Sequence, residues 1–577
     1  MQIIRLGKYA IGLIFSVALC LRAAEVPATP QPGDLGSAEI AAYIAIPNLS
    51  ATMATAEQVA KDVNPNFQPG MLKMLLGMRL NDPGLANLGN GPVALFMFKA
   101  PPLAKGAIPD EPPVALFIPA KAAAPYNQGL AAAGLKTAFA DGLLIAAKTP
   151  ELLAKAQAQL PAYKNLAAAA VQADVRVYAN IATLLGTYGQ ALDGAMESIP
   201  QTFANMPQPP NSKKKPEAVA KLLTLEAKGI AVFLKQINEA QLDLQLKPDA
   251  LMQTQIITAQ SGTALADLLN SQPLPGQSKT AALLSDKSLL KMINHTQPAA
   301  LKAFLNSFLA SLQKDPAFTA LITPDFGANL LGWLDAFGGD FAMSYVTILP
   351  LKMEMAMTVT DNNKALSAVE KSMAMFGPTS SFGKIYSDMG LAFNPKLQKD
   401  VRKHATESVN RMDFNIDLSN IPPEEAAKME ELKMMPKEME LSFVNNMEVA
   451  STSPADLDTL IDKALAGPAA KPAAPLAAAK VFGEDKQFYC DMDLIGLIKA
   501  AVLAQPGNPM AMFAAMLKDY EPVAIAGSCT GGQLKIQSRM PLAPFMDIAK
   551  IISAMGQQQQ AAPQPAPQPE PQGPGNV

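Results

Sequence analysis

Two local patterns occur twice in this chain, in the same order. Leu144-Ile-Ala-Ala-Lys-Thr149-Pro150-Glu-Leu-Leu153 is matched by Met447-Glu-Val-Ala-Ser-Thr-Ser453-Pro454-Ala-Asp-Leu457. Each reads as a strand running into a helix that begins Thr/Ser-Pro-x-x-Leu. Asp174-Val-Arg-Val-Tyr178-Ala-Asn180 is then matched by Asp485-Lys-Gln-Phe-Tyr489-Cys-Asp491, each followed by helical periodicity. Matching units in one order imply an internal duplication, so two related units are expected, at 36–275 and 276–555. The length agrees, being too great for one core.

The expected elements alternate in type. In the first unit a strand at Ala41 to Pro47 leads into a helix, and Pro92 to Phe98 pairs with Pro113 to Ile118 across a proline-rich loop. Thr149 suits a helix N-cap and Pro150 the first helical position, where its missing N–H costs nothing. Gln241-Leu-Asp-Leu-Gln-Leu246 alternates with the period of two expected of a strand. The second unit repeats the programme, with a much shorter counterpart of the helical stretch 187–237. Strands pairing with sequence neighbours, joined by helices, define an α+β fold: two related domains of antiparallel sheet packed with helices.

The ends carry other signals. Arg5 and Lys8 precede an apolar run from Ala10 to Leu21, followed by Ala23 and Ala24. The run is short of the roughly 20 residues a transmembrane helix needs and fits an export signal at 1–23. Cys20 could end a lipobox, but Leu19 stands where that motif wants a small residue, so cleavage without lipid anchoring is expected, with retention as an anchor the remaining alternative. Residues 24–35 form a Pro-rich leader, and 556–577 a Gln/Pro/Ala tail expected to be disordered. Formal charge is −3, and loss of the signal with its cations makes it more negative. No electrostatic reason to bind nucleic acid results. The basic run Lys213-Lys-Lys215 reads as a solvated loop. A periplasmic or extracellular location is expected.

This order of strands, Ser/Thr-Pro-x-x-Leu helices, strands and helices, in an exported context, resembles a family of uncharacterised exported bacterial proteins, a domain of unknown function built of duplicated strand/helix units. The resemblance implies the repeat fold over most of 36–555. It brings no activity, cofactor or site residues.

Candidate chemistry is sparse. Cys490 and Cys529 fall on strands of one unit and could form a disulfide in an oxidising compartment; the alternative is two buried core thiols. His295 and His404 lie far apart in sequence and match no zinc spacing. Met353, Met355 and Met357, on one face of a strand, and the pairs Met373/Met375 and Met510/Met512 have the spacing of soft copper sites, yet they suit core packing better. Gly527-Ser-Cys529-Thr-Gly531 imitates a nucleophile elbow, but the strand-like Gln533-Leu-Lys-Ile-Gln537 follows where a helix is required. Ser288-Leu-Leu-Lys291 with Ser408-Val-Asn410 imitates penicillin-interacting enzymes, without the third motif. Asn180 and Asp491 are expected to cap the helices that follow them.

No catalytic, cofactor-binding or metal residues are therefore expected, and no enzyme. The leading expectation is a non-catalytic exported envelope protein, a scaffold or interaction module with an envelope protein as partner. The alternative is a periplasmic carrier of a lipid or other apolar ligand. A scaffold should show filled cores and an exposed apolar patch; a carrier should show an apolar cavity of about 300–1,000 Å³.

Overall fold

The computed structural model describes residues 35–550, apart from 36, 65–66, 106, 108–110, 170–171, 205–215, 273–277, 320, 349, 389–391, 418–435, 468–475 and 504–510. The expected export signal at 1–23, nearly all of the expected leader, Cys20, Lys213–Lys215, Met510 and the 556–577 stretch lie outside the described residues.

The first half of the chain supplies strands β1 (Ile40–Ile46), β2 (Val93–Phe98), β3 (Val114–Pro119), β4 (Lys136–Ala140), β5 (Leu143–Ala147), β6 (Val175–Asn180), β7 (Ile237–Leu246) and β8 (Ala250–Ala259). From the second half come β9 (Leu290–His295), β10 (Phe337–Ile348), β11 (Leu351–Val359), β12 (Ala392–His404) and β13 (Glu407–Asp417). Five more complete it: β14 (Glu438–Val444), β15 (Met447–Ser451), β16 (Phe488–Met492), β17 (Val523–Thr530) and β18 (Gln533–Pro541).

These strands form one 18-stranded sheet in which every pairing is antiparallel. Across it the first half runs β4-β5-β3-β2-β1-β6-β7-β8. The second half runs β14-β15-β11-β10-β9-β16-β17-β18. Position for position the two orders are the same, with β1 and β9 at corresponding places. The hairpin β12–β13 is extra and extends the second half beyond β14.

The antiparallel sheets expected of the two halves are continuous through a seam. β8 pairs with β18 from Thr258 opposite Gln533 to Ala250 opposite Pro541. Each is the last strand of its half, and each would otherwise leave a row of unpaired backbone groups at an edge. Joining them satisfies both rows and merges the halves.

Local chemistry explains the elements. Thr149 Oγ1 accepts a hydrogen bond from the Leu152 amide at 3.2 Å, capping helix Pro150–Gln157. Ser453 holds the corresponding position before Pro454–Ala466 but makes no side-chain capping bond. Gly531 and Gly532 both have positive φ and form the two-residue turn between β17 and β18, as a primed hairpin turn requires. This is why Cys529 sits on a strand rather than on an elbow before a helix.

Alternation along the strands gives the sheet two different faces. Tyr43, Phe96, Phe117 and Tyr178 point to the first face, under helices Pro150–Gln157 and Leu160–Ala168. In the second half Ile293, Ala356, Val449 and Tyr489 do the same, under Pro454–Ala466 and Ala477–Phe482. On the other face Ile118, Leu144 and Ala146 pack under Ala124–Ala132. Phe341, Met357 and Cys529 pack there under Ala264–Asn270, Pro298–Gln313 and Pro324–Ala336. Helix Pro216–Leu234 of the first half crosses to pack on Pro298–Gln313 and Ser381–Asp388 of the second. The longer helical stretch of the first half, Ile181–Ala204 with Pro216–Leu234, stands against Leu494–Leu503 and Ala511–Met516 in the second.

Candidate functional site

The residues singled out by motif are dispersed through the sheet. Ser288 precedes β9 and Lys291 lies near its start, whereas Ser408 and Asn410 are on β13, five strand spacings or roughly 24 Å away. They form no common site. Lys291 is buried on the first face, and its ammonium donates to the Ser285 carbonyl at 3.3 Å. It lies in a cross-strand row with Asp491, Ser344, Glu354, Ser451 and Glu440. Glu354 accepts from the Ser285 amide and hydroxyl and from Ser344. Burial holds the Lys291 pKa below its ordinary value, against the pull of Asp286, Glu354 and Asp491. This row lies beneath the helical cover.

His295 and His404 are equally separate. The His295 Nδ1 lies 3.3 Å from Asp340, whose carboxylate also accepts from Ser278 Oγ and the amides of Lys279 and Thr280. Ser278 bonds the carboxylate and not the imidazole, so the trio is no nucleophile–base pair. It pins the segment before β9 to the sheet. Nε2 of His404 lies 2.8 Å from Asp462 on helix Pro454–Ala466, next to the pairs Arg402–Asp458 and Arg402–Glu440. That cluster ties the β12–β13 hairpin to the helix.

Met353 and Met355 pack with Val369, Met373, Met412 and Met439, and Met357 joins the core under Pro298–Gln313 and Pro324–Ala336. The disulfide expectation is corrected by register. Cys490 on β16 faces Ile525 on β17, and Cys529 is four residues further along, roughly 13 Å of strand. A disulfide needs Cα atoms about 4.4–6.8 Å apart, so the two buried cysteines are not bridged to each other.

Asn180 caps as expected, accepting from the Thr183 amide at 2.7 Å. Asp491 does not cap the helix after it. It accepts from the amides of Ala477 and Ala478, capping the preceding helix, which lies over the same face of the sheet, while Asp493 accepts from the Gly496 amide. Tyr178 and Tyr489 also differ: the first donates to Glu239 and the second to the Gly483 carbonyl.

One exposed surface stands out, and no sequence motif marks it. Helix Met71–Leu80 has the sequence Met-Leu-Lys-Met-Leu-Leu-Gly-Met-Arg-Leu. Leu72, Leu76, Gly77 and Leu80 turn inward. Gly77 packs so closely that a Cβ there would stand 2.5 Å from the Asp82 carbonyl oxygen. Met71, Met74, Leu75 and Met78, at positions i, i+3, i+4 and i+7, form the opposite stripe and are 38, 52, 43 and 60% exposed. A helix that is apolar on all sides ordinarily belongs in an interior; this one has an interior on one side only. The all-round pattern between Asn64 and the Asp82-Pro-Gly84 turn was its signal in the sequence.

The second half shows what could cover such a helix. Pro324–Ala336 holds the corresponding place, and like Met71–Leu80 it packs beside the helix that follows the first strand and the helix that follows the third. Its outer side is covered, however. Phe326 stacks on Phe382 of Ser381–Asp388 at 5.0 Å, within a cluster that includes Leu222 and Leu225 of the long helix from the first half. Among the described residues no helix does this for Met71–Leu80.

Comparison with known proteins finds no matching family model, no matching curated protein and no matching solved structure. Among the described residues, no helix is long and apolar enough to cross a membrane.

Proposed function

We propose that this protein is a non-catalytic, exported interaction module of the cell envelope, built by duplication of one strand-and-helix unit. It docks an apolar segment of a protein partner on the Met71, Met74, Leu75 and Met78 stripe. The duplication reading rests on the repeated sequence patterns and on the identical strand order of the two halves. The export reading rests on the 1–23 pattern.

The observation that carries the docking reading is the contrast between the corresponding helices. In the second half the outer face of the helix is occupied; in the first it is bare and made of methionine and leucine. Methionine adapts to varied partner shapes through its unbranched, polarisable side chain, and exposed apolar stripes of this kind mark interaction surfaces. Lys73 and Arg79 on the same helix, with no acidic residue, favour an acidic rim on the partner.

The test is site-specific photocrosslinking from position 78 in the organism's own envelope, with position 407 as a control. A discrete protein adduct from position 78, absent from 407 and abolished by Met74→Asp, is the expected result. Lipid adducts alone, or an adduct indifferent to Met74→Asp, would overturn the docking reading.

A further inference from the structure

Where the two halves join, the first face of the sheet changes character. From β1 to β6 it is covered by the helices of the first half, and on β16, β17 and the adjoining part of β18 by Ala477–Phe482. On β7, β8 and β18, between those covers, the residues turned to this face are Glu239, Gln241 and Asp243, then Thr254, Ile256 and Thr258, then Gln533, Lys535 and Gln537. All but Gln241 are half-buried. The alternate residues, such as Leu242, Leu244, Leu534 and Ile536, point the other way. A sheet that was polar here only for solubility would not need so ordered an arrangement of paired groups.

Most of the charges in the strip are paired. Arg176 binds Asp243 through two parallel bonds of 2.7 Å, and the Gln241 amide adds a third bond to Asp243 at 2.9 Å. Glu239 accepts from Tyr178 at 2.8 Å and from Thr258 at 3.2 Å. Arg539, at the strip's end, binds Asp249 and Glu521. Lys535 is the exception. It stands opposite Ser528 on one side and Ile256 on the other, and among the described residues no carboxylate pairs with it. Burial, followed by the nearby Lys486, lowers its pKa from the ordinary lysine value, with Asp243 opposing. In the same cross-strand row, Gln241 is 6% exposed and its Oε1 has no hydrogen-bond partner.

We infer that this strip binds a small oxyanion-bearing molecule, a carboxylate or a phosphate, with Lys535 as the cationic anchor. Keeping a partly desolvated ammonium without a counter-ion is costly, and an incoming oxyanion supplies the missing charge. Ser528, Thr254 and Gln537 surround Lys535 with hydroxyl and amide donors for the remaining oxygens. Asp243 is neutralised by Arg176, and Glu239 is held two strands away by Tyr178 and Thr258. The unpartnered Gln241 oxygen, together with the threonine hydroxyls, offers acceptors for a ligand that also carries hydroxyl groups. The site exists only because β8 and β18 pair, so it belongs to the joined molecule and to neither half.

The experiment uses the full chain with its lysines ¹³C-dimethylated, the Lys535 signal being identified by its loss in Lys535→Gln. Inorganic phosphate, galacturonate and neutral galactose are titrated in turn, and affinities are measured by calorimetry on unmethylated protein. Expected is a saturable shift of the Lys535 signal with phosphate or galacturonate and none with galactose. Binding should weaken at least tenfold in Lys535→Gln and persist in Lys535→Arg, which keeps the charge. Response to phosphate alone assigns a phosphate-bearing ligand, and response to galacturonate alone a carboxylate. No saturation with either anion, equal affinity in Lys535→Gln, or galactose binding as well as galacturonate would overturn the inference.

Discussion

Replacing Glu448 by glutamine should remove a large part of the pH dependence of this protein's stability. Glu448 lies on β15 between Met357 of β11 and Phe443 of β14, and is 2% exposed. Burial pushes its pKa from 4.5 up to about 8. The folded protein therefore holds a proton there that the unfolded chain releases above pH 4.5, and stability falls as protons become scarce. The contribution is fully present below about pH 4.5, is lost progressively as pH rises towards 8, and changes no further above that. A shift of about 3.5 pH units corresponds to roughly 5 kcal/mol across the window, and about 3 kcal/mol of that is already lost at pH 7. Glu448→Gln has nearly the same shape and stays neutral. Denaturant unfolding of both proteins from pH 4 to pH 9 provides the assay, because the difference curve cancels all other titrating groups. The variant should match the parent near pH 4 and exceed it by several kcal/mol at pH 8. A difference that does not change with pH would refute the reasoning.

Three further outcomes follow from local geometry. Gly77→Ala should lower stability by about 1–3 kcal/mol, since its Cβ would stand 2.5 Å from the Asp82 carbonyl oxygen; Gly186→Ala, with open space around it in a helix, should gain up to about 1 kcal/mol, both read by thermal unfolding. Tyr126→Phe should cost about 1–3 kcal/mol, because the buried Asp82 carboxylate loses the 2.6 Å bond from the tyrosine hydroxyl. Reducing agent should leave the melting temperature unchanged, and a thiol reagent should label Cys490 and Cys529 only after denaturation, because both are buried and too far apart along the sheet to bridge each other; a drop in melting temperature on reduction would show a disulfide after all.

Much of the local structure was legible beforehand. Alternating polar and leucine residues marked β7, Thr149-Pro150 marked a helix start, and the glycine pair marked the β17–β18 turn. Each of these is a property of neighbouring residues, because backbone preference and side-chain periodicity act over a few positions. The strand β12 was not legible, since Pro395 and its many lysines resemble a loop. Those residues suit an edge strand, where proline need not donate to a second neighbour and charge discourages further pairing.

The sequence by itself determined the antiparallel, helix-covered character of each half and the order in which its elements recur. Tertiary structure alone decided that β8 meets β18, that Asp491 caps the helix lying over its own face of the sheet, and that Met71–Leu80 leaves one apolar side exposed. It also left Lys535 without a counter-ion among the described residues. All four depend on which distant segments come together, residues 250–259 with 533–541 above all. Strand pairing is chosen by complementary edges and by burial over the whole sheet, and a strand's own residues show which face turns inward without showing what lies beside it.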